Sequence, residues 1–183
     1  MERQFKYDIM PEIKERWSMR AFSEDKIDRD EIMAIIEAAT FAPSCFNEQP
    51  WRFIIADDDE ELEKMRSILL EGNQIWANAA PVLIAVLSKK TFTYNQKDNF
   101  WNMFDTGTAW GYLSLEAHRR GLATHAMGGF SKKRLREVFD ISEEYETICI
   151  VALGKPGNKK DLPENLQDRE KPDIRKGIEE ILL

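Results

Sequence analysis

Seven consecutive apolar residues, Pro81-Val82-Leu83-Ile84-Ala85-Val86-Leu87, stand near the middle of the chain. Successive side chains of a strand point to opposite faces, so a strand with one wet face alternates apolar and polar. A run with no polar member suits a strand covered on both sides. Covering requires helices, and the chain supplies helical spacing on either side of the run. Residues 8–17 carry Ile9, Ile13 and Trp17 on one face, and Asp28 or Asp30 can cap a helix striped by Ile32, Ile35, Ile36 and Ala39. The acidic run Asp57-Asp58-Asp59-Glu60-Glu61 reads as a helix start favoured by the macrodipole, leading to Leu62, Met65, Leu69 and Leu70. Residues 105–121 form the longest candidate, with Asp105 as cap and Gly121 as left-handed stop. Ser131 caps a helix reaching Phe139, and Ile174, Ile178, Ile181 and Leu182 mark a last amphipathic helix. Strands are expected at 52–56, 122–130 and 146–154. No internal repeat interrupts the pattern, so the 183 residues are read as one α+β domain with helices over a central sheet.

A net charge of −7 argues against nucleic acid as partner, because phosphate backbones need a basic footprint. It leaves room for a small phosphorylated ligand held by a local positive cluster. No run approaches the roughly 18 apolar residues of a membrane span, and the first residues are unlike a signal peptide. Cys45 and Cys149 lie far apart and make no metal-ligand spacing. A cytoplasmic protein with free thiols fits best; a lone disulfide is also compatible with the sequence.

The stretch Ala42-Pro43-Ser44-Cys45-Phe46-Asn47-Glu48-Gln49-Pro50-Trp51 separates a helical pattern from a strand. Pro43 stops the helix and Pro50 pushes Gln49 towards an extended conformation. Backbone groups and short amide side chains are thereby left free to meet something planar and polar, or simply to connect two elements. Arg16-Trp17-Ser18-Met19-Arg20 brackets a serine with two donor forks suited to phosphate, although solvated arginines are commoner. Gly128-Gly129 ends a strand and lets main-chain N–H groups approach a flat ligand, or makes a plain turn. Phe92, Tyr94, Phe100 and Trp101 lie in an aperiodic polar stretch that reads as a substrate lid or a surface excursion.

Taken in order, these pieces resemble the FMN-dependent nitroreductase family over about residues 10–180. RWSMRAF is similar to the family's N-terminal arginine–serine–basic motif. APSCFNEQPWRF resembles its proline–serine–asparagine–glutamine–proline–tryptophan loop. DTGTAWGYLSLEAHRRGLATHAMGGF resembles its central helix and the glycine turn beside the flavin.

The resemblance implies a three-layer α+β fold with a mainly antiparallel sheet, an intertwined homodimer, and an arm of residues 155–183 packed on the partner subunit. It implies FMN as cofactor, NAD(P)H as transient donor, and a ping-pong cycle ending on a nitroaromatic, quinone or similar flat small-molecule acceptor. Arg16, Arg169 and Lys171 would hold the flavin phosphate, and Ser18 the phosphate or ribityl region. Arg20 would face the N1/O2 edge, and Gly128 and Gly129 would present donors near N5 and O4. Pro43, Ser44, Cys45 and Asn47 would line the partner's side of the pocket. Trp17 and Met127 fall within the motifs and are carried with them. Trp17 and Cys45 depart from the smaller or polar residues usual there, and the region near Asn73 aligns too loosely to assign. Because the flavin carries the reactive atom, no catalytic side chain and no metal is expected. Dehalogenating or oxidative flavin chemistry and flavin binding without turnover are the competing expectations.

Overall fold

The computed structural model describes residues 3–183. Four strands, β1 (Trp51–Ala56), β2 (Val82–Lys89), β3 (Ala123–Met127) and β4 (Tyr145–Gly154), form one sheet in the order β1-β2-β4-β3. Every neighbouring pair is antiparallel, with Ile54 opposite Ala85, Ala85 opposite Ile150 and Ala126 opposite Val151. Among the described residues seven α-helices accompany it: α1 (Pro11–Glu15), α2 (Arg29–Thr40), α3 (Asp59–Arg66), α4 (Glu71–Ala77), α5 (Asn102–Arg119), α6 (Lys132–Val138) and α7 (Glu164–Gln167).

The apolar run behaves as its composition requires. Leu83, Ala85 and Leu87 point into one core layer with Met65, Ile68, Trp76 and Leu135. Val82, Ile84 and Val86 point into the other with Ile32, Ile35, Ala109 and Leu113. Helices α2 and α5 thus cover one face, and α3, α4 and α6 the other. Each fully buried Leu or Ile contributes about 1.5–3 kcal/mol, which favours this register over a one-residue slip.

Several boundaries differ from expectation, each for a local reason. The first helix is one short turn, because Arg16 leaves it with an extended backbone. Asp28 caps α2 by accepting from Asp30 N at 3.1 Å. Asp58 caps α3, whose predicted continuation through Leu70 breaks into α3 and α4. Leu69 at the break bridges to Phe130 instead. The long helix begins at Asn102 rather than Asp105, since Asn99 Oδ1 already accepts from Trp101 N. It ends as expected, with Gly121 at φ 75°. The predicted final helix is a single 3₁₀ turn, Ile178–Glu180, with Ile174, Ile178, Ile181 and Leu182 exposed.

The segment after α1 runs alongside residues 155–157. Gly157 N donates to Ala21 O at 2.8 Å and Ser23 N to Lys155 O at 3.0 Å. A Cβ at Gly157 would lie 2.5 Å from the Phe22 carbonyl carbon, so this approach requires glycine.

Candidate functional site

Two groups of predicted residues are gathered in different places. The first surrounds the 16–22 segment. Arg3 Nη1 donates to Lys14 O and Arg16 O, both at 3.0 Å, and its Nε donates to Asp173 O at 3.2 Å. These bonds satisfy carbonyls left over at the end of α1 and tie both chain ends to it. Arg16 itself is half-buried, and among the described residues no carboxylate or hydrogen-bond acceptor meets its guanidinium. Burial, then the neighbouring Arg175 and Arg3, lower its pKa from the ordinary arginine value, which still leaves it charged. Arg16, Arg3 and Arg175 line a cavity of about 850 Å³ whose other walls include Ile13, Leu115 and Ile174. Ser18 is exposed and Trp17 half-buried.

Arg20 follows on the same segment. Its backbone N and that of Ala21 both donate to Glu170 Oε1, at 2.8 and 2.9 Å. Glu170 therefore brings Arg169 and Lys171, which flank it and are exposed, to the neighbourhood of the arginine–serine motif. On β3, His125 Nδ1 donates to Met19 O at 2.8 Å, and its ring lies 4.5 Å from that of Trp76. Burial holds its pKa below the usual histidine range, outweighing the opposite pull of the Met19 carbonyl.

Strand β3 delivers the glycine turn. The N–H groups of Gly128 and Gly129 make no hydrogen bond to protein among the described residues. A Cβ at Gly128 would meet nothing within 4 Å, whereas one at Gly129 would lie 2.7 Å from Asn73 Nδ2. Asn73, from α4, braces the turn by donating to Gly129 O at 2.9 Å. Met127 turns its side chain into the core, so its part at a site falls to the backbone.

The second group is the 42–51 loop. Asp105, inside α5 and buried, accepts from Cys45 N at 3.0 Å, and Ser44 Oγ accepts from Gln49 N at 3.0 Å. Glu48 Oε1 accepts from Thr93 N at 2.8 Å. Between these ties Phe46, Asn47 and Gln49 hold φ of 52°, 56° and 52°. Pro43 and Asn47 are exposed, and Ser44 and Cys45 are half-buried. No hydrogen bond or ion pair among the described residues joins this loop to the 16–22 segment.

The four lid candidates divide. Phe92 is buried, and Tyr94 and Phe46 pack on it with ring centroids 5.4 and 5.9 Å away. Phe100 and Trp101 are exposed, and Trp101 meets Phe104 edge-on. The stretch is ordered by a bridge between Thr91 and Asp98 and is not featureless. Among the described residues no group of histidine, cysteine and carboxylate side chains could hold a metal ion, and no helix is long and apolar enough to cross a membrane.

Sequence reasoning missed Glu170, His125 and the pair Arg3 and Arg175, and left Asn73 unassigned. No local spacing marks their roles; Arg3, Glu170, Asn73 and His125 each bond to a partner 56 to 170 residues away, and Arg175 stands beside Arg16.

A four-stranded antiparallel sheet between two helical layers, with the 16–22 segment tied to β3 through His125, defines the α+β domain. The model of the nitroreductase family matches residues 13–77 and 68–155, and the chain belongs to that family. A protein of Archaeoglobus fulgidus, provisionally named NADH dehydrogenase/NAD(P)H nitroreductase, is 33% identical over 86% of this chain and 90% of its own. The iodotyrosine deiodinase of Thermotoga neapolitana is 24% identical over 84% of this chain and 90% of its own. A solved oxidoreductase containing FMN superposes with a TM-score of 0.95 at 36% identity, covering 99% of this chain and 93% of that one.

Proposed function

We propose that this chain is an FMN-dependent NAD(P)H oxidoreductase that works as a homodimer in the cytoplasm and reduces flat, oxidised small molecules such as nitroaromatics or quinones. The observation that carries the reading is Arg16. It is a half-buried guanidinium beside two others with no protein counter-charge among the described residues. Like charges held together in this way call for an anion, and a phosphate monoester with its several acceptor oxygens fits. The free N–H groups of Gly128 and Gly129 suit a planar acceptor edge, and the FMN of the 36%-identical structural relative matches that demand. The residues present therefore fit FMN.

When bound, FMN supplies hydride acceptance and release at N5. The chain's own part is to bind and orient. Arg16, with Arg169 and Lys171 nearby, holds the phosphate, and Ser18 offers a hydroxyl to the phosphate or ribityl chain. Arg20 places positive charge at the pyrimidine edge, where negative charge gathers on reduction. Gly128 and Gly129 donate from the main chain. The Pro43, Ser44, Cys45 and Asn47 face closes the pocket of the partner subunit, because within one chain it is tied to α5 and not to the arginines. Phe46, Phe100, Trp101 and Phe104 are exposed, as are Ile174, Ile181 and Leu182 on the arm, and exposed apolar side chains of this kind suit a partner chain and a flat acceptor. The nicotinamide donor and the acceptor would then meet the bound flavin in turn, which is the order of a ping-pong cycle.

The deiodinase relative favours a second reading, reductive dehalogenation on the same scaffold. The test is the absorption spectrum of the purified protein, followed by anaerobic addition of NADH or NADPH and then an acceptor panel including a halotyrosine. Bleaching of a flavin band and its return with a nitroaromatic or quinone is the expected result. A protein that takes up no flavin from excess FMN overturns the reading, and return only with the halotyrosine selects the second.

A further inference from the structure

Glu170 is the one carboxylate that meets the 16–22 segment through a hydrogen bond or ion pair among the described residues. Its side chain is only 3% exposed. Oε1 takes both the Arg20 and Ala21 N–H groups, while Oε2 is buried without a hydrogen bond and stands 3.9 Å from Arg20 Nη1. That distance is too long for a hydrogen bond but short for a charge pair in a poorly solvated place. His125 fixes the preceding carbonyl, so the Arg20 backbone is held from two sides and the guanidinium is the freer end.

We propose that Glu170 is a positioning residue that sets the aim and net charge of Arg20, so the C-terminal arm tunes the cofactor pocket. The inference rests on the reading of Arg20 as the flavin-edge residue. A buried carboxylate beside that guanidinium offsets part of its field. Removing the carboxylate charge strengthens the hold on reduced flavin, which bears negative charge, more than the hold on oxidised flavin. Backbone anchoring is a separate task, and a glutamine at this position keeps an oxygen to accept from the two N–H groups.

The experiment compares wild type, Glu170→Gln, Arg20→Met and the double variant. Each is stripped of flavin, titrated with FMN and poised against redox dyes; thermal melts check folding. Glu170→Gln is expected to keep its melting temperature and to raise the preference for reduced over oxidised FMN about tenfold, or about 30 mV for a two-electron couple. In the Arg20→Met background the same change is expected to have less than half that effect, since Glu170 acts through Arg20. An unchanged preference in Glu170→Gln, or a shift of equal size with and without the arginine, overturns the proposal. Should Glu170→Gln fold poorly alone, the double variant removes both charges together. Its preference then has to lie within about threefold of that of Arg20→Met, and a larger difference overturns the proposal. Wild-type protein that binds no FMN in the first titration removes the underlying reading instead, and is recognised before any variant is made.

Discussion

Around Arg20 the chain is bonded from several sides: Met19 O meets His125, two successive N–H groups meet Glu170, and Ala21 O meets Gly157. The 42–51 loop is the opposite. It holds three non-glycine residues at positive φ, and Phe46 is 80% exposed. Such conformations cost of order 1–3 kcal/mol each and persist where the surroundings over-determine them. Here Asp105 and Thr93 do part of that work. The first region is closely bonded within its own chain and, in the proposed reading, is a finished half-site that awaits an anion. The second is a surface braced in an unfavourable shape, and no hydrogen bond or ion pair among the described residues joins it to the first. Under the proposed function the two belong to one site shared between chains, each supplying what the other lacks.

Both regions rest on the same core, and damage there has the largest expected effect. Ile84→Ala on β2 removes a fully buried side chain next to α2 and α5, and about 2–5 kcal/mol of stability is expected to go with it. Denaturant melts measure this. Flavin affinity per folded molecule should hold, because Ile84 lies on neither half-site. Arg16→Ala sharpens the finished side. Loss of a charged phosphate partner costs about 1.5–3 kcal/mol, roughly 10- to 150-fold in FMN affinity. Riboflavin, which lacks the phosphate, should bind the variant and wild type alike. Equal losses for both ligands would show that Arg16 merely supports the fold.

The apolar run and its two-sided burial were legible in the sequence because a strand's alternation has no other way to bury seven apolar residues in succession. The glycine pair and the 42–51 loop were legible as places, since proline and glycine limit the backbone locally. Glu170 and Asp105 were not. Glu170 reads as one charge among several in an acidic, basic tail, and only the tail's return to Arg20 gives it a partner 150 residues away. Asp105 looked like a helix cap because acidic residues favour helix starts. The helix begins three residues earlier, and the carboxylate serves Cys45 N instead. Local rules named the residue type correctly and its partner wrongly.

Asp105→Ala tests the braced side from beneath. Leaving the Cys45 N–H without its acceptor costs about 1–3 kcal/mol. FMN affinity is expected to fall although Asp105 touches none of the arginines. Unchanged affinity with a lowered melting temperature would confine Asp105 to the fold.

The smallest expected effect is on pH dependence. Burial holds the His125 pKa below its unfolded value of 6.5, so the unfolded chain binds the proton more readily. The contribution of neutral His125 is complete above about pH 6.5 and is lost as the pH falls from there through the folded value. Melting temperatures between pH 7.5 and 5.5 should therefore drop less in His125→Gln than in wild type. Parallel curves would take His125 out of the account.

The shared site is tested most directly by mixing two defective chains. Arg16→Ala spoils the finished half, and Ser44→Trp fills the loop's face. Each variant alone should bind little FMN. Co-expressed in equal amounts and assembled at random, half of the dimers carry one chain of each kind and one intact site apiece, so about a quarter of all sites should regain wild-type affinity. Flavin per chain at an FMN concentration that fills wild-type sites but not those of either variant alone, with sedimentation run alongside, reads the outcome. Recovery of about a quarter, in dimers, is the predicted result. No recovery above the separate variants, or full flavin loading of a sedimenting wild-type monomer, would contradict it.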